Sequence, residues 1–248
     1  MIEIKASNGK LSIVSTVSDF CDAMGYCEFK IPFALKGIRP PPTQATIEGA
    51  KAHQKQEQFE KEHFEMVPVT GEELADLEKD VEFAYESINT RLIMPLNLSQ
   101  YSETNMFIFG RADKVYRSQG TLIVEESKFP FNPNKYLQTF EPYPDHKLQT
   151  LLYLNSLFTS ENSFDSRSWF EIPHSQKAWI INVKDRKTGD TIKTFKGLQT
   201  NELEQYMNAN LQRFAQIAAG EIQPQHHFRQ AKCAKCRIEN CQNSLSLK

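Results

Sequence analysis

The feature that most restricts the fold is a pair of short apolar runs, Phe107 to Phe109 and Leu122 to Val124, separated by a turn through Ser118, Gln119 and Gly120. Aromatic and β-branched residues fill both runs, and a glycine marks the reversal between them, so the sequence predicts a β-hairpin whose first strand ends near Asp113. The hairpin carries charge. Gly110-Arg111-Ala112-Asp113 closes the first run, and Val124-Glu125-Glu126-Ser127-Lys128 closes the second. Side chains alternate along a strand, so Glu126 and Lys128 project from one face. Converged with Asp113, Glu126 can hold a hard divalent cation, Mg²⁺ or Mn²⁺, which prefers oxygen ligands. Such a cation lowers the pKa of bound water, while Lys128 can orient that water or stabilise charge in the transition state. This is the chemistry of phosphodiester hydrolysis. Taken alone, the charged triplet also fits an exposed hairpin with solvated charges.

The flanking segments narrow the choice. After a loop rich in proline and asparagine (130–144), Leu148, Leu151, Leu152 and Phe158 fall at helical intervals with Asp145 as a cap. Gln149 and Tyr153 lie four apart on the other face of this helix, although a tyrosine there also reads as a half-buried core aromatic. Upstream, Pro40 to Pro42 end one region, and a charged helix is expected from Thr43 to about Met66. On it Gly49 and His53 are one turn apart, so His53 is either a nitrogen ligand or a surface histidine. Thr70 and Glu73 form a capping-box pattern ahead of Leu74, Leu77, Val81, Tyr85 and Ile88, which predicts a second helix. A second hairpin is expected from Trp179–Val183 and Thr191–Phe195 about Thr188-Gly189-Asp190. A long helix follows from Asn201 to Ala219 and stops at Gly220. Near the start, an apolar stretch (11–17) precedes a cysteine-bearing segment (21–33). Phe131, Tyr136 and Tyr143, in the loop after Lys128, could stack on bases or pack the loop.

Composition sets outer bounds. A chain of 248 residues with 40% hydrophobic and 24% charged residues has enough apolar material for one self-folding domain. No apolar stretch is long enough to span a bilayer and the first ten residues are not signal-like, so a cytoplasmic location is expected. A net charge of −2 provides no global attraction to nucleic acid, so any DNA-binding surface must be local. Five cysteines is an odd count, and the crowding of three of them suits ligation of one metal centre better than disulfide staples. Cys233, Cys236 and Cys241 offer three thiolates within nine residues, and a tetrahedral zinc site or a four-iron cluster needs a fourth, from Cys27 or Cys21. Such a centre would clasp the two ends of the chain together.

In this order, helical Gly49-X-X-X-His53, strand Gly110-X-X-Asp113, strand Glu126-X-Lys128 and helical Gln149-X-X-X-Tyr153 resemble the RecB-type branch of the PD-(D/E)XK nucleases. The resemblance implies a restriction-endonuclease-like α/β core, a mixed central sheet flanked by helices, occupying about residues 43–219. It implies metal ligation by His53, Asp113, Glu126 and the backbone carbonyl of Ser127. Catalytic roles would fall to Asp113, Glu126 and Lys128, with Gln149 and Tyr153 contacting DNA or positioning the nucleophile. Ala112 stands where many members carry proline. Cysteine layout adds a second likeness: one cysteine early, Cys27, and three late, Cys233, Cys236 and Cys241, in segments 21–33 and 228–245. It implies a [4Fe-4S] cluster rather than Zn²⁺. With no room for an attached helicase, the whole is similar to the CRISPR-associated RecB-like nucleases, the fourth Cas family. That likeness implies exonuclease or end-trimming activity on single-stranded DNA or single-stranded overhangs during spacer acquisition, beside the CRISPR integrase complex. A standalone RecB-like repair or phage nuclease would carry the same motifs. A catalytically silent DNA-binding adaptor, stabilised by its cysteine centre, is the alternative from another class.

Overall fold

The computed structural model describes residues 2–63, 83–118, 120–159 and 176–225, together with Cys236, Ile238 and Cys241 of the C-terminal tail. The chain begins with an antiparallel pair, β1 (Ile2–Ser7) and β2 (Lys10–Thr16). Asn8 and Gly9 between them have φ of 51° and 73°, the left-handed pair that a tight hairpin turn of matching twist requires. Residues 2–7 alternate Ile2, Ile4 and Ala6 with Glu3, Lys5 and Ser7, and this period-two pattern with the Asn-Gly dipeptide is the signal for β1.

The centre of the sheet is one long strand, β4 (Tyr101–Ser118). β3 (Phe83–Leu98) runs antiparallel along one edge of it, from Phe83 opposite Arg117 to Leu98 opposite Tyr101. Two strands share the other edge. β2 lies parallel to its first half, up to Thr16 opposite Phe109. β5 (Thr121–Lys128) lies antiparallel to its second half, from Lys114 opposite Glu125 to Ser118 opposite Thr121. Among the described residues, Gly110 to Asp113 thus have no ladder partner on that edge. The split arises because β2 stops at Thr16, whose hydroxyl accepts the amide of Asp19 at 3.1 Å and starts α1 (Val17–Tyr26). Beyond β5 the sheet continues through parallel β7 (Gln176–Lys184) and antiparallel β8 (Thr191–Leu198), while β6 (Leu157–Thr159) adds to β3.

The remaining helices are α2 (Lys30–Leu35), α3 (Gln44–His63), α4 (Pro144–Leu154) and α5 (Asn201–Ala218), giving a mixed α/β fold with helices flanking a mixed sheet. Phe20 of α1, Leu148, Leu151 and Leu152 of α4 and Phe214 of α5 are fully buried against Ile108, Val115, Val124 and Ile181 of the sheet. Each such side chain contributes about 1.5–3 kcal/mol of transfer free energy. The α1–α4 contact is close: a Cβ on Gly25 would lie 2.7 Å from the backbone and Cβ of Asp145. No helix among the described residues is long and apolar enough to cross a membrane.

Four local expectations differ from what is observed. Tyr85 and Ile88 lie in β3 rather than in a second helix, because the long-range ladder with β4 overrides their helical spacing; Thr70, Glu73, Leu74, Leu77 and Val81 lie outside the described residues. Phe158 falls in β6, since the side chains of Asn155 and Ser156 bond back to the carbonyls of Leu151 and Leu152 and end α4. Asp145 sits inside the first turn of α4 after Pro144, and Tyr143 holds the capping position without a side-chain bond. The first hairpin strand continues past Asp113 to Ser118, and Phe107–Phe109 pair with β2 and β3 instead of β5.

Candidate active site

The gap on the β4 edge is filled by side chains. The Asp113 amide donates to Glu126 Oε1 at 3.0 Å, and the Ser127 amide donates to Asp113 Oδ2 at 2.8 Å. The two carboxylates thus replace the ladder bonds lost where β5 swings away, and they satisfy the backbone donors that would otherwise be orphaned. His53 reaches in from α3, its Nε2 2.9 Å from Asp113 Oδ1. Lys128 Nζ lies 3.0 Å from Glu126 Oε2 and donates to Gln149 Oε1 at 2.6 Å; Gln149 Nε2 in turn donates to the Tyr153 hydroxyl at 3.2 Å. All six side chains singled out by spacing therefore join one hydrogen-bonded chain drawn from α3, β4, β5 and α4.

Glycine makes the close approach to this chain feasible. At Gly110 a Cβ would stand 2.5 Å from Val17 Cγ2 and 2.8 Å from Tyr153 Cε1, so only hydrogen fits where α1 and α4 meet β4. Tyr153 is at once a core residue, 3% exposed, and the end of the polar chain.

The electrostatics follow from burial and crowding. Glu126 is 1% exposed; burial, with the Asp113 charge beside it, pushes its carboxyl up to about 7. Burial acts in the same direction on Asp113, but the His53 hydrogen bond and the Lys128 charge outweigh it and hold Asp113 below its ordinary value. The hydrogen bond that His53 donates to Asp113 raises the imidazole above its ordinary value. Lys128 is raised because the Glu126 and Asp113 charges overcome its burial. Two carboxylates, one ionised and one poised to take a proton, beside an imidazole and a fixed ammonium, form a donor set suited to a hard divalent cation. Among the described residues no three side chains of His, Cys, Asp and Glu surround one point as a ready-made cage, since His53 and Lys128 already engage the carboxylate oxygens.

Two features at this end of the molecule were not legible in the sequence. Arg186, in the β7–β8 turn, donates to the Phe129 carbonyl at 2.6 Å and to the Ala45 carbonyl at 2.9 Å. Asp145 is buried and His146 half-buried beside the site, and loss of solvent pushes the Asp145 carboxyl up to about 7 and His146 down to about 3. Of the aromatic residues that could stack on bases or pack the loop, Tyr136 and Tyr143 meet at a tilt, 4.8 Å between centroids, and both lie against His146, so they pack the loop; Phe131 and Phe140 stand exposed on it.

Near the chain ends, Glu28 is fully buried and accepts Arg213 Nε at 2.5 Å, Arg213 Nη2 at 2.7 Å and the Gln225 amide at 2.7 Å. This carboxylate ties the segment next to Cys27 to α5 and to the start of the C-terminal tail. Cys27 caps α1 half-buried, while Cys21 is packed in the core. Cys236 is half-buried and Cys241 buried, and Cys233 lies outside the described residues.

No family model matches the chain, and no curated protein matches it. Among solved structures it is similar in form to the protein SSO0001, at 14% identity and a TM-score of 0.46 over 97% of this chain and 90% of that one. It is also similar to LHK-Exo, an alkaline exonuclease from Laribacter hongkongensis, at 13% identity and a TM-score of 0.39 over 89% of this chain and 93% of that one. The LHK-Exo complex with dAMP gives 12% identity and a TM-score of 0.40 over the same shares. With TM-scores below 0.5, these are likenesses of general form.

Proposed function

We propose that this chain is a divalent-metal-dependent deoxyribonuclease. The observation that carries the reading is the unbroken chain from His53 through Asp113, Glu126, Lys128 and Gln149 to Tyr153. A solvated hairpin has no reason to bury Glu126 with Lys128 half-buried against it, or to arrange them from four elements. His53, Asp113, Glu126 and the Ser127 carbonyl would hold Mg²⁺ or Mn²⁺, which when bound supplies Lewis acidity and an acidified water. Lys128 is held from two sides, by Glu126 and Gln149, so its ammonium is fixed in advance to meet the nucleophile or the developing phosphate charge. Tyr153 secures Gln149 and thereby Lys128.

The finer reading is end-trimming of single-stranded DNA or single-stranded overhangs. Phe131, 74% exposed, and Phe140, 99% exposed, lie on the loop that leads from Lys128 to α4, and rings held in water are available to stack on unpaired bases. The resemblance to the CRISPR-associated RecB-like nucleases supports a place in spacer acquisition beside the integrase, in the cytoplasm. We assign Cys27, Cys233, Cys236 and Cys241 to a [4Fe-4S] cluster. The fit rests on Glu28, which brings residue 225, eight positions before Cys233, beside the Cys27 segment.

Cleavage of end-labelled single-stranded and duplex oligonucleotides with Mn²⁺ tests the reading. Native protein should cut the single strand, and Asp113→Asn and Lys128→Met should each lose at least about 100-fold in rate. Equal rates for the three proteins would overturn it.

A further inference from the structure

The β7–β8 turn reaches the cation site from outside the motif set. Within it the Lys187 and Thr188 amides donate to Asp185 Oδ1 at 2.7 and 3.1 Å, and Gly189 has φ of 80°, so the turn is internally fixed. Arg186 projects from this base and spends its guanidinium on three acceptors: the Phe129 carbonyl just beyond β5, the Ala45 carbonyl in the first turn of α3, and Glu48 Oε2 at 3.2 Å. Its side chain is only 15% exposed. The Ala45 carbonyl is an ordinary helical acceptor with a second lone pair, whereas the Phe129 carbonyl lies past the end of the ladder and gains in Arg186 a charged donor.

The consequence falls on His53. The Gly49 face of α3 lies on this clamp: a Cβ there would stand 3.4 Å from the Phe129 carbonyl and 3.6 Å from Arg186 Nη2. One turn later His53 meets the Phe129 ring edge-on, 5.9 Å between centroids, and reaches Asp113. A second link, Glu57 to Arg111 at 2.5 Å, also joins α3 to β4, but Arg111 is 53% exposed, and exposed pairs contribute little. The Arg186 clamp, in which a side chain 15% exposed meets two backbone carbonyls and the 42% exposed Glu48, therefore helps to set how α3 approaches the sheet.

We propose that Arg186 is a positioning residue for the cation site, holding α3 against the end of β5 so that His53 is presented to Asp113. The inference rests on the metal-dependent reading above. Calorimetric titration with Mn²⁺ of the native chain, Arg186→Ala, His53→Ala and the double variant tests it. Arg186→Ala should weaken Mn²⁺ binding by about 10- to 100-fold, as loss of a residue that orients a ligand does. In the His53→Ala background the same change should have almost no further effect, because its route to the cation is already removed. Arg186→Lys keeps the charge but cannot span three acceptors, and should give an intermediate affinity; it also serves if Arg186→Ala does not fold. A native chain that binds no Mn²⁺ would overturn the metal reading and this inference together. Native binding with unchanged affinity in the Arg186 variants, or losses that simply add in the double variant, would overturn this inference alone.

Discussion

Truncating Arg213 to alanine should be among the most destabilising single changes in the chain, and the structure sets the size. Glu28 is fully buried and holds three hydrogen bonds, two of them from Arg213 and one from the Gln225 amide. Removing the guanidinium takes two hydrogen bonds and the neutralising charge from a buried carboxylate. Breaking a buried ion pair from one side costs about 3–5 kcal/mol. Arg213 is 33% exposed, so truncation admits water to its former place, and the lower end, about 3 kcal/mol, applies. For a chain of this size each kcal/mol lowers the melting temperature by about 2–4 °C, giving a fall of about 6–12 °C. Scanning calorimetry on the native chain and Arg213→Ala measures this. Adding Glu28→Gln to the Arg213 variant removes the stranded charge and should recover part of the loss. A fall below about 2 °C, or no recovery in the double variant, would refute the view that the Glu28 carboxylate clasps the segment next to Cys27 to α5 and the tail.

Three further outcomes are expected. Gly110→Ala forces a methyl into Val17 and Tyr153 and should cost about 1–3 kcal/mol by urea unfolding, where an ordinary strand glycine would gain from the same change. Asp145→Asn should stabilise the chain in a pH-dependent way. Burial, and then the Asp22 charge, hold the native Asp145 carboxyl at about 7 despite Lys128, against about 3.9 unfolded, so its contribution is full below about pH 4 and is lost as pH rises to 7. The gain from asparagine should therefore grow between pH 4 and 7 and level off above, and urea unfolding that gives equal gains at pH 5 and 8 would contradict it. Protein purified without oxygen should contain about four irons per chain and absorb broadly in the visible, and Cys233→Ser should lose both; zinc without iron would contradict the cluster assignment.

Much of the site is readable in the sequence because each part is written in local spacing. Four-residue intervals place Gly49 with His53 and Gln149 with Tyr153 on helix faces, and alternation places Glu126 with Lys128 on one side of β5; α5 and the β7–β8 hairpin are legible for the same reason. What is lost is whatever depends on distant partners. β3 carries helical spacing at Tyr85 and Ile88 and becomes a strand only through its ladder with β4. The length of β4 depends on three neighbours at once, so its end could not be placed at Ser118 from its own residues. Arg186 and Glu28 bear no motif, and their partners lie 57 to 197 positions away in the chain.

His53, Asp113 and Glu126 are proposed to form one cation site beside Lys128. Crystals grown with Mn²⁺ and measured at a wavelength that excites manganese test it directly. The account predicts an anomalous peak bonded to the imidazole of His53 and to the carboxylates of Asp113 and Glu126. A peak bound to other residues, or Mn²⁺-dependent cleavage that persists after all three side chains are removed, would contradict it.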